Sequence, residues 1–362
     1  MLRFIYSLFC IILISAFLPA CTTPHMIIPV DPEGFSPRYI GRITPGGTFS
    51  PDPAALRIAV EHKGLVLLSI NDGTEKILSK QAPLALAWSN DGQYLAAAFA
   101  EEGQSKLVIY NADSREEMSL SIQGRVTQLE WSPSGELFAL AVNLKVYTFG
   151  TNQKGTLLRW SPHDSIKREP LFDTTLKPRT LAELGDSFYR LSRFDLSPLG
   201  DEIIYTRLAD PPVIGRSIKM THRHLSSGAE GWVYDIPLES GGSFWSFDSE
   251  KLLISDGSRT YQFDPWQRKE LQKWQLPGQH LALSPVENMI YVDGFLYRNG
   301  QELAQLQSGR ASFSHDGKHL VVADQKSLVM YSLPSVNVVE PAPQPIKERL
   351  LLLRELRSKG LV

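Results

Sequence analysis

The sequence predicts an all-β fold of seven four-stranded antiparallel blades closed into a ring, plus a short C-terminal α-helix. Two observations predict the blades. A short phrase of an aromatic or leucine residue, serine, turn residues and glycine recurs before apolar runs, and a second pair of short runs commonly follows it. Turn residues between alternating or β-branched runs are typical of β-hairpins. Each copy therefore predicts two hairpins, which together make four strands.

The phrase occurs seven times, and its copies begin at Phe49, Trp88, Trp131, Leu196, Phe247, Leu283 and Phe313. The clearest second hairpins are expected at 64–78, 106–120, 260–274 and 295–306. A single four-stranded sheet cannot bury both of its faces, so the copies must stack around an axis. This arrangement is a seven-bladed β-propeller. The aromatic residues before the serines are expected to pack between blades.

The stretches FSPD, WSNDG, WSPSG and FSHDG resemble the WD40-like repeat of TolB-type periplasmic propellers. The resemblance covers residues 38–340, although the Gly-His and Trp-Asp signatures of true WD40 repeats are missing. It implies a protein-interaction scaffold in the bacterial cell envelope, with a role in envelope organisation or outer-membrane assembly.

A closed ring needs a device that joins the two chain ends. The segment 38–43 stands where the outermost strand of a preceding blade would stand. We expect it to pair with the last blade, whose inner strands come from 311–332. Deleting 38–43 is then expected to destabilise the whole domain rather than to fray one end.

The N-terminus predicts export and lipidation. Residues 4–18 form an apolar run that is short for a membrane span but typical of a signal peptide, which we assign to 1–20. The run ends in Leu-Pro-Ala-Cys21, which resembles the lipobox of bacterial lipoproteins and implies lipidation of Cys21 and a linker to residue 37. An uncleaved anchor is the alternative. Both place the domain outside the cytoplasm, and Thr22 favours an outer membrane location facing the periplasm.

Charge and cysteine content exclude several classes of function. Without the single arginine of residues 1–20, the 37 basic residues become 36 against 39 acidic ones, which gives no electrostatic footprint for nucleic acid. The two cysteines are Cys10 and Cys21, so the predicted mature domain has neither a disulfide nor a catalytic thiol.

No motif of a catalytic centre or a cofactor site is found, and we expect a protein that is not an enzyme and needs no cofactor. Asp72 and Asp91, each in Asn-Asp-Gly, are interpreted as turn residues and not as calcium ligands. His222 and His224 would share one face of a strand, but no third ligand can be identified and we assign no metal site. The competing function is a ligand-binding, hydrolase or lyase site in the central channel.

Two long excursions, 161–192 and 208–230, break the regular spacing of the repeats. We interpret the first as a blade-to-blade crossing and the second as a loop after the second strand of the fourth blade. Both are then expected on the same face of the disc, where long loops on a rigid scaffold commonly bind partners. Their candidate contacts with an envelope protein are Arg179, Tyr189, Arg190, His222, Arg223 and His224.

The C-terminus predicts a separate element. Residues 341–345 form a proline-rich spacer, and 346–362 predict an amphipathic helix. Its candidate contact residues are Leu350, Leu353 and Leu356. The segment resembles the opening of the short C-terminal helical module called SHOCT, without its second helix. The helix is expected either to dock on the propeller rim or to bind a partner in a groove.

Overall fold

The computed structural model describes 28 strands between Pro37 and Ser332. The described residues are 35, 37–54, 56–111, 113–147, 150–160, 169–175, 193–197, 200, 202–208, 217–225, 230–237, 242–245, 252–255, 260–264, 269–274, 281–285, 287 and 289–334. Within them no helix is long and apolar enough to cross a membrane. The predicted signal peptide, the lipidation site and the helix 346–362 lie outside the described residues.

The strands form seven four-stranded antiparallel sheets, which we number along the chain. Sheet 1 holds β2 (Phe49–Pro51), β3 (Arg57–Glu61), β4 (Leu65–Ser69) and β5 (Glu75–Ser79). Sheet 2 holds β6 (Pro83–Trp88), β7 (Tyr94–Glu101), β8 (Gln104–Asn111) and β9 (Glu116–Gln123). Sheet 3 holds β10 (Arg125–Trp131), β11 (Leu137–Tyr147), β12 (Gly150–Trp160) and β13 (Glu169–Thr175).

Sheet 4 holds β14 (Arg193–Leu196), β15 (Glu202–Leu208), β16 (Ser217–His224) and β17 (Glu230–Pro237). Sheet 5 holds β18 (Gly242–Trp245), β19 (Leu252–Ser255), β20 (Thr260–Asp264) and β21 (Lys269–Trp274). Sheet 6 holds β22 (Leu281–Leu283), β23 (Met289–Val292), β24 (Phe295–Arg298) and β25 (Gln301–Gln305). Sheet 7 holds β26 (Arg310–Phe313), β27 (His319–Ala323), β28 (Ser327–Ser332) and β1 (Pro37–Arg42).

The prediction of four-stranded antiparallel blades made from two hairpins is confirmed. Each copy of the repeated phrase spans the connection between the first and second strands of one sheet. All four second hairpins predicted from the sequence form, as β4–β5, β8–β9, β20–β21 and β24–β25.

The sheets stack side by side around an axis. Their first strands contact one another, β2 with β6, β6 with β10, β10 with β14, β14 with β18, β22 with β26, and β26 with β2. Sheets 5 and 6 pack through Leu253 of one against Leu281, Ile290 and Val292 of the other. The first strands therefore lie innermost, and the fourth strands form the outer rim.

The N-terminal strand closes the ring. β1 pairs antiparallel with β28 from Pro37, opposite Tyr331, to Arg42, opposite Ser327, and it is the outermost strand of sheet 7. The predicted closure is confirmed. Phe35, just before β1, is buried in the core between sheets 6 and 7, so the chain is held to the rim before the first strand begins.

The second strands explain why the phrase is followed by unbroken apolar runs. In β7, Leu95, Ala97 and Phe99 pack with residues of sheet 1, while Ala96 and Ala98 pack with residues of sheet 3. A strand covered on both faces has no solvent side, so its sequence does not alternate between apolar and polar residues. The three alanines are wholly buried, which shows how closely the neighbouring sheets approach.

The repeated serine holds the turn together in sheets 2, 3, 4 and 7. In sheet 2 the Ser89 hydroxyl accepts a hydrogen bond from the Tyr94 amide at 2.9 Å and donates one to Asp91 Oδ1 at 2.6 Å. Gly92 takes φ of 69°, a left-handed conformation that favours glycine. The same bonds recur in sheet 7 among Ser314, Asp316 and His319. The phrase is therefore a hydrogen-bonded turn that starts the second strand.

In sheet 1 the phrase is displaced by two residues. The Asp52 amide donates to the Arg57 carbonyl at 2.8 Å, which is the backbone bond that Ser89 makes with Tyr94. Asp52, and not Ser50, is thus the turn residue of sheet 1. Its carboxylate accepts from the Leu56 amide at 2.8 Å and pairs with the Arg57 guanidinium at 2.9 Å.

The turns also join neighbouring sheets. The Arg57 guanidinium of sheet 1 lies over the Trp88 ring of sheet 2, 4.6 Å from its centroid. Tyr94 of sheet 2 stacks on Trp131 of sheet 3 at 6.0 Å between centroids. The residue that opens the second strand therefore packs over the aromatic residue of the next sheet. Trp88 and Trp131 are both buried, which confirms their predicted packing between blades.

Candidate functional site

The turn of sheet 4 positions the carboxylate of Glu202. The Ser197 hydroxyl accepts from the Glu202 amide at 3.1 Å, and the Ser197 amide donates to the Glu202 carbonyl at 2.9 Å. Gly200 takes φ of 73° between them. These backbone bonds fix Glu202 as the first residue of β15, the position that Arg57 and Tyr94 occupy in sheets 1 and 2.

Strand β16 brings two imidazoles to this carboxylate. His224 lies directly opposite Glu202 in the antiparallel pairing of β15 with β16, and His222 lies opposite Ile204. Because alternate residues of a strand share one face, both histidines lie on the same side of the sheet as Glu202. The prediction from the sequence that His222 and His224 share a face is confirmed, and Glu202 is the third group that sequence reasoning missed.

The three side chains converge. His224 Nδ1 lies 3.3 Å from Glu202 Oε1, and His222 Nε2 lies 3.7 Å from Glu202 Oε2. The two rings meet edge to face with centroids 5.0 Å apart. One donor atom from each residue lies within 4.8 Å of the other two.

Burial differs across the cluster. The side chains of His222 and Glu202 are 1% and 5% exposed, whereas that of His224 is 40% exposed. A carboxylate removed from water needs compensating partners, and the imidazoles of His222 and His224 supply contacts on one side. The exposed edge of His224 leaves the cluster open to solvent.

The cluster lies away from the central channel. Ile203 and Tyr205 of β15 pack against sheet 3, so Glu202, with the opposite orientation, faces sheet 5. The three residues belong to the second and third strands of sheet 4, not to its innermost strand. Glu202 therefore joins the two histidines as a third group with a metal-binding donor atom, but the cluster does not lie at the central channel.

The innermost strands of sheets 3 and 4 are instead joined by polar side chains. Gln128 Nε2 donates to the Phe194 carbonyl at 2.6 Å, and Gln128 Oε1 accepts from the Phe194 amide at 3.1 Å. Glu130 Oε1 accepts from the Leu196 amide at 3.1 Å. These side chains on the inner strand bind backbone groups of the next sheet, which is a structural role.

The two long excursions are not single loops. β13 (Glu169–Thr175) lies inside 161–192 as the outer strand of sheet 3, so our interpretation of that whole stretch as a crossing was wrong. Pro170 obscured it, because proline is found on edge strands but weakens a strand signal in the sequence. β16 (Ser217–His224) likewise lies inside 208–230. The loop interpretation was wrong there too, since His222 and His224 belong to a strand.

The other predicted contact residues separate into two groups. Arg223 lies on β16 between the two histidines and therefore on the opposite face. The remaining predicted residues lie outside the described residues; they are Cys21, Arg179, Tyr189, Arg190, Leu350, Leu353 and Leu356.

Two aspartates predicted to serve turns do so. Asp72 accepts hydrogen bonds from the amide and the hydroxyl of Thr74, at 3.0 and 2.8 Å. Hydrogen bonds from Ser69 and Thr74 lower the pKa of Asp72 to about 2. Asp91 accepts from the Ser89 hydroxyl, as described above. The turn interpretation of both residues is confirmed.

Three large apolar side chains on outer strands are exposed, and sequence reasoning did not find them. Leu303 on β25, Tyr39 on β1 and Ile77 on β5 are 38%, 60% and 67% exposed. They lie on the outermost strands of sheets 6, 7 and 1, which are neighbours in the ring. We call these three residues the apolar rim. The alternation of residues along a strand could not predict their exposure, because the packing of neighbouring sheets in the ring decides which face of an outer strand meets solvent.

No protein-family model matches the chain, and no curated protein matches its sequence. Solved structures match its fold. The chain is similar to hydrazine synthase of Kuenenia stuttgartiensis, at 13% identity and a TM-score of 0.55, over 80% of this chain and 95% of that one. It is similar to the Dos1 propeller, at 9% identity and a TM-score of 0.52, over 85% of this chain and 98% of that one.

The chain folds as a β-propeller. Identities this low show the fold alone, and they transfer neither the activity nor the partners of the matched proteins. The β-propeller is generally a scaffold or interaction fold, in which loops and rims on a rigid disc carry the contacts.

Proposed function

We propose that this chain is a lipid-anchored, extracytoplasmic β-propeller that acts as a protein-interaction scaffold in the bacterial cell envelope, TolB-like by resemblance. The observation that carries the proposal is the apolar rim on a closed ring. Tyr39 and Ile77 expose most of their side-chain surface to water although the sheets behind them are well packed. Large exposed apolar side chains on neighbouring elements are typical of surfaces that bind other proteins.

The position of β1 supports the anchor. The chain reaches the ring at the rim of sheet 7, where Phe35 is buried and Pro37 begins the outermost strand. A lipid on Cys21 would therefore suspend the disc from its edge through the segment 22–34 and leave both faces and most of the rim accessible. A disc that is tethered at one edge can present a binding surface to a partner without packing that surface against the membrane.

The apolar rim adds a third candidate contact region to the two that the sequence predicts. In the sequence, Arg179, Tyr189 and Arg190 lie between β13 and β14, and the segment 346–362 follows β28. We propose these segments as further contacts of the same partner or of a second one. Long connections on a rigid ring are suited to binding partners because their sequence and length can vary without destabilising the core.

In-cell photocrosslinking tests the scaffold proposal. A crosslinking amino acid is placed in turn at Tyr39, Ile77 and Leu303, and as a control at Leu56, which is 49% exposed but lies beside the turn of sheet 1. We expect all three rim positions to capture the same envelope protein and Leu56 not to capture it. Replacing Ile77 by Asp in the unlabelled chain should weaken capture at Tyr39 and Leu303.

Cys21→Ser tests the anchor in the same cells. The variant is expected to lose lipid labelling and to move from the membrane fraction to the soluble envelope fraction. Crosslinks from Arg179, Tyr189 or the 346–362 segment with none from the rim would move the interface to those regions. An empty map from every position, with the protein folded and abundant, would overturn the scaffold proposal.

A further inference from the structure

The His–Glu cluster of sheet 4 has the spacing of a metal site. We propose that Glu202, His222 and His224 bind one divalent transition-metal ion, for which zinc fits the ligand set best. Zinc binds histidine nitrogen and carboxylate oxygen at about 2.1 Å, so two ligands at a tetrahedral angle stand about 3.4 Å apart. The observed separations are 3.3 Å from His224 Nδ1 to Glu202 Oε1 and 3.7 Å from His222 Nε2 to Glu202 Oε2. Each imidazole thus faces a different oxygen of the carboxylate, and one donor atom from each of the three residues lies within 4.8 Å of the other two.

The donor types match the same ion. Two imidazole nitrogens and one carboxylate oxygen form a His₂Glu set, which zinc sites with an open coordination position use. Imidazole suits transition metals, whereas sites for calcium and magnesium are built from oxygen ligands. The arrangement therefore selects against the hard cations.

Burial gives the ion an electrostatic role. Glu202 and His222 are almost wholly removed from water, at 5% and 1% side-chain exposure. A dication between the carboxylate and the imidazoles compensates the negative charge where solvent cannot. Because a folded chain holds the ligands together and an unfolded one does not, binding of the ion would also stabilise sheet 4.

The exposure of His224 gives the ion a route to the cluster. Its side chain is 40% exposed, so an ion can reach the cluster from the end of the sheet where β16 ends and the turn of Ser197 lies. The three protein ligands leave the fourth position of a tetrahedron for water or for a donor group of a bound molecule. The site is thus of the exchangeable kind rather than a closed structural one.

The placement in the fold supports a dedicated role for these side chains. At the same position in sheets 1 and 2, Arg57 and Tyr94 pack over a tryptophan of the next sheet. Sheet 4 places a carboxylate there, and strand β16 supplies two histidines on the matching face. Sheet 4 thus places three convergent side chains with metal-binding donor atoms at a position where sheets 1 and 2 place a packing contact.

Zinc titration of the full-length chain tests the proposal. Cys10 and Cys21 are replaced by serine in all variants because thiolates bind zinc strongly. After treatment with a chelator, isothermal titration calorimetry with zinc chloride is expected to give one ion per chain. His224→Ala is expected to weaken binding by about 100-fold or more, because it removes a ligand rather than only its orientation. Zinc should raise the melting temperature of the parent chain and not that of His224→Ala.

Two further variants keep the test decisive. Glu202→Gln preserves the shape of the buried side chain and should weaken zinc binding to a similar degree. His62→Ala, which removes a half-buried histidine of sheet 1, should leave zinc binding unchanged. Circular dichroism confirms that each variant is folded. A folded parent chain that binds no zinc, or binding equally strong in His224→Ala, would overturn the proposal.

Discussion

The turns of sheets 2 and 4 have the same repeated sequence phrase, but different residues open the strand that follows each turn. In sheet 2 the carboxylate of the turn, Asp91, bonds back to Ser89, and Tyr94 opens the next strand by stacking on Trp131 of sheet 3. In sheet 4 the serine makes the same backbone bonds, but the carboxylate belongs to Glu202, which opens β15 and faces two histidines.

This difference distinguishes the residues that make the turn from the residue that opens the second strand, whose type varies between sheets. In sheets 2, 3, 4 and 7 the serine supplies the hydrogen bonds of the turn and the glycine supplies its left-handed backbone. The residue that opens the second strand is not fixed by the turn. In sheets 1 and 2 it packs over a tryptophan of the next sheet, and in sheet 4 it lies beside two histidines.

The largest loss of stability is expected when the aromatic residue that Tyr94 stacks on is removed. Trp131→Ala is expected to cost about 3–5 kcal/mol of unfolding free energy, because it empties a buried site between sheets 2 and 3. The variant also loses the hydrogen bond from the indole Nε1 to the Ala87 carbonyl at 3.1 Å. Urea unfolding measures the loss.

Trp131→Phe is the matched control for that prediction. It keeps an aromatic ring under Tyr94 and removes the indole donor, so we expect a loss of about 1 kcal/mol from the hydrogen bond together with a smaller packing term. An equal loss in Trp131→Phe and Trp131→Ala would show that the hydrogen bond, and not the stacking, joins the two sheets.

The glycines of the two turns give a second and smaller test. A Cβ at Gly200 of sheet 4 would stand 2.9 Å from Pro133 Cδ of sheet 3, whereas one at Gly92 of sheet 2 would stand 3.3 Å from Pro53 Cδ. Gly135 has φ of 83° and open space around it. The alanine variants are expected to lose stability in the order Gly200, Gly92, Gly135, from about 3 to about 1 kcal/mol.

Thermal unfolding of the three glycine variants checks this order. Gly135→Ala reports the cost of the left-handed backbone alone, since nothing approaches its side chain, and Gly135→Asn should recover part of that cost. Equal losses at all three positions would mean that contacts between neighbouring turns do not contribute to the ring.

The sequence predicts the turns well because they are local. Ser89, Asp91 and Gly92 lie within four positions, and their bonds depend only on one another. The pairing of β1 with β28 was also predictable, since a ring of hairpins leaves one outer strand to be supplied by the other chain end. The candidate site was not. Glu202 and His222 meet only through the register of β15 with β16, and register is set by the long-range packing of the sheets.

Sheet 3 shows the same limit in another form. Its outer strand β13 contains Pro170 and pairs with β12 through an irregular register. Outer strands face solvent on one side and pack weakly, so their sequences carry less of the apolar signal that marks β7 or β11. The outer strand of sheet 3 was therefore missed, whereas the outer strands β5, β9, β21 and β25 were predicted as parts of their hairpins.

The smallest expected effect concerns the turn of sheet 7, which repeats that of sheet 2. Burial would raise the pKa of Asp316, but hydrogen bonds from the Ser314 hydroxyl and the Lys318 amide, with the nearby His319 and Lys318 charges, lower the pKa below its usual value. A carboxyl group whose pKa is lower in the folded state stabilises the protein above the pKa of the unfolded state. That stabilisation is lost as the pH falls through the folded pKa.

Asp316→Asn should therefore be less stable than the parent chain at pH 7, by well under 1 kcal/mol because the group is partly exposed. The difference should shrink as the pH falls below about 4, the ordinary range of an aspartate. Urea unfolding of both chains from pH 7 to pH 3 measures it, with Glu102→Gln as an exposed control for the loss of one negative charge. A difference that stays constant over this range would mean that the asparagine is destabilising through its shape. The carboxylate charge would then contribute nothing to the stability of the turn.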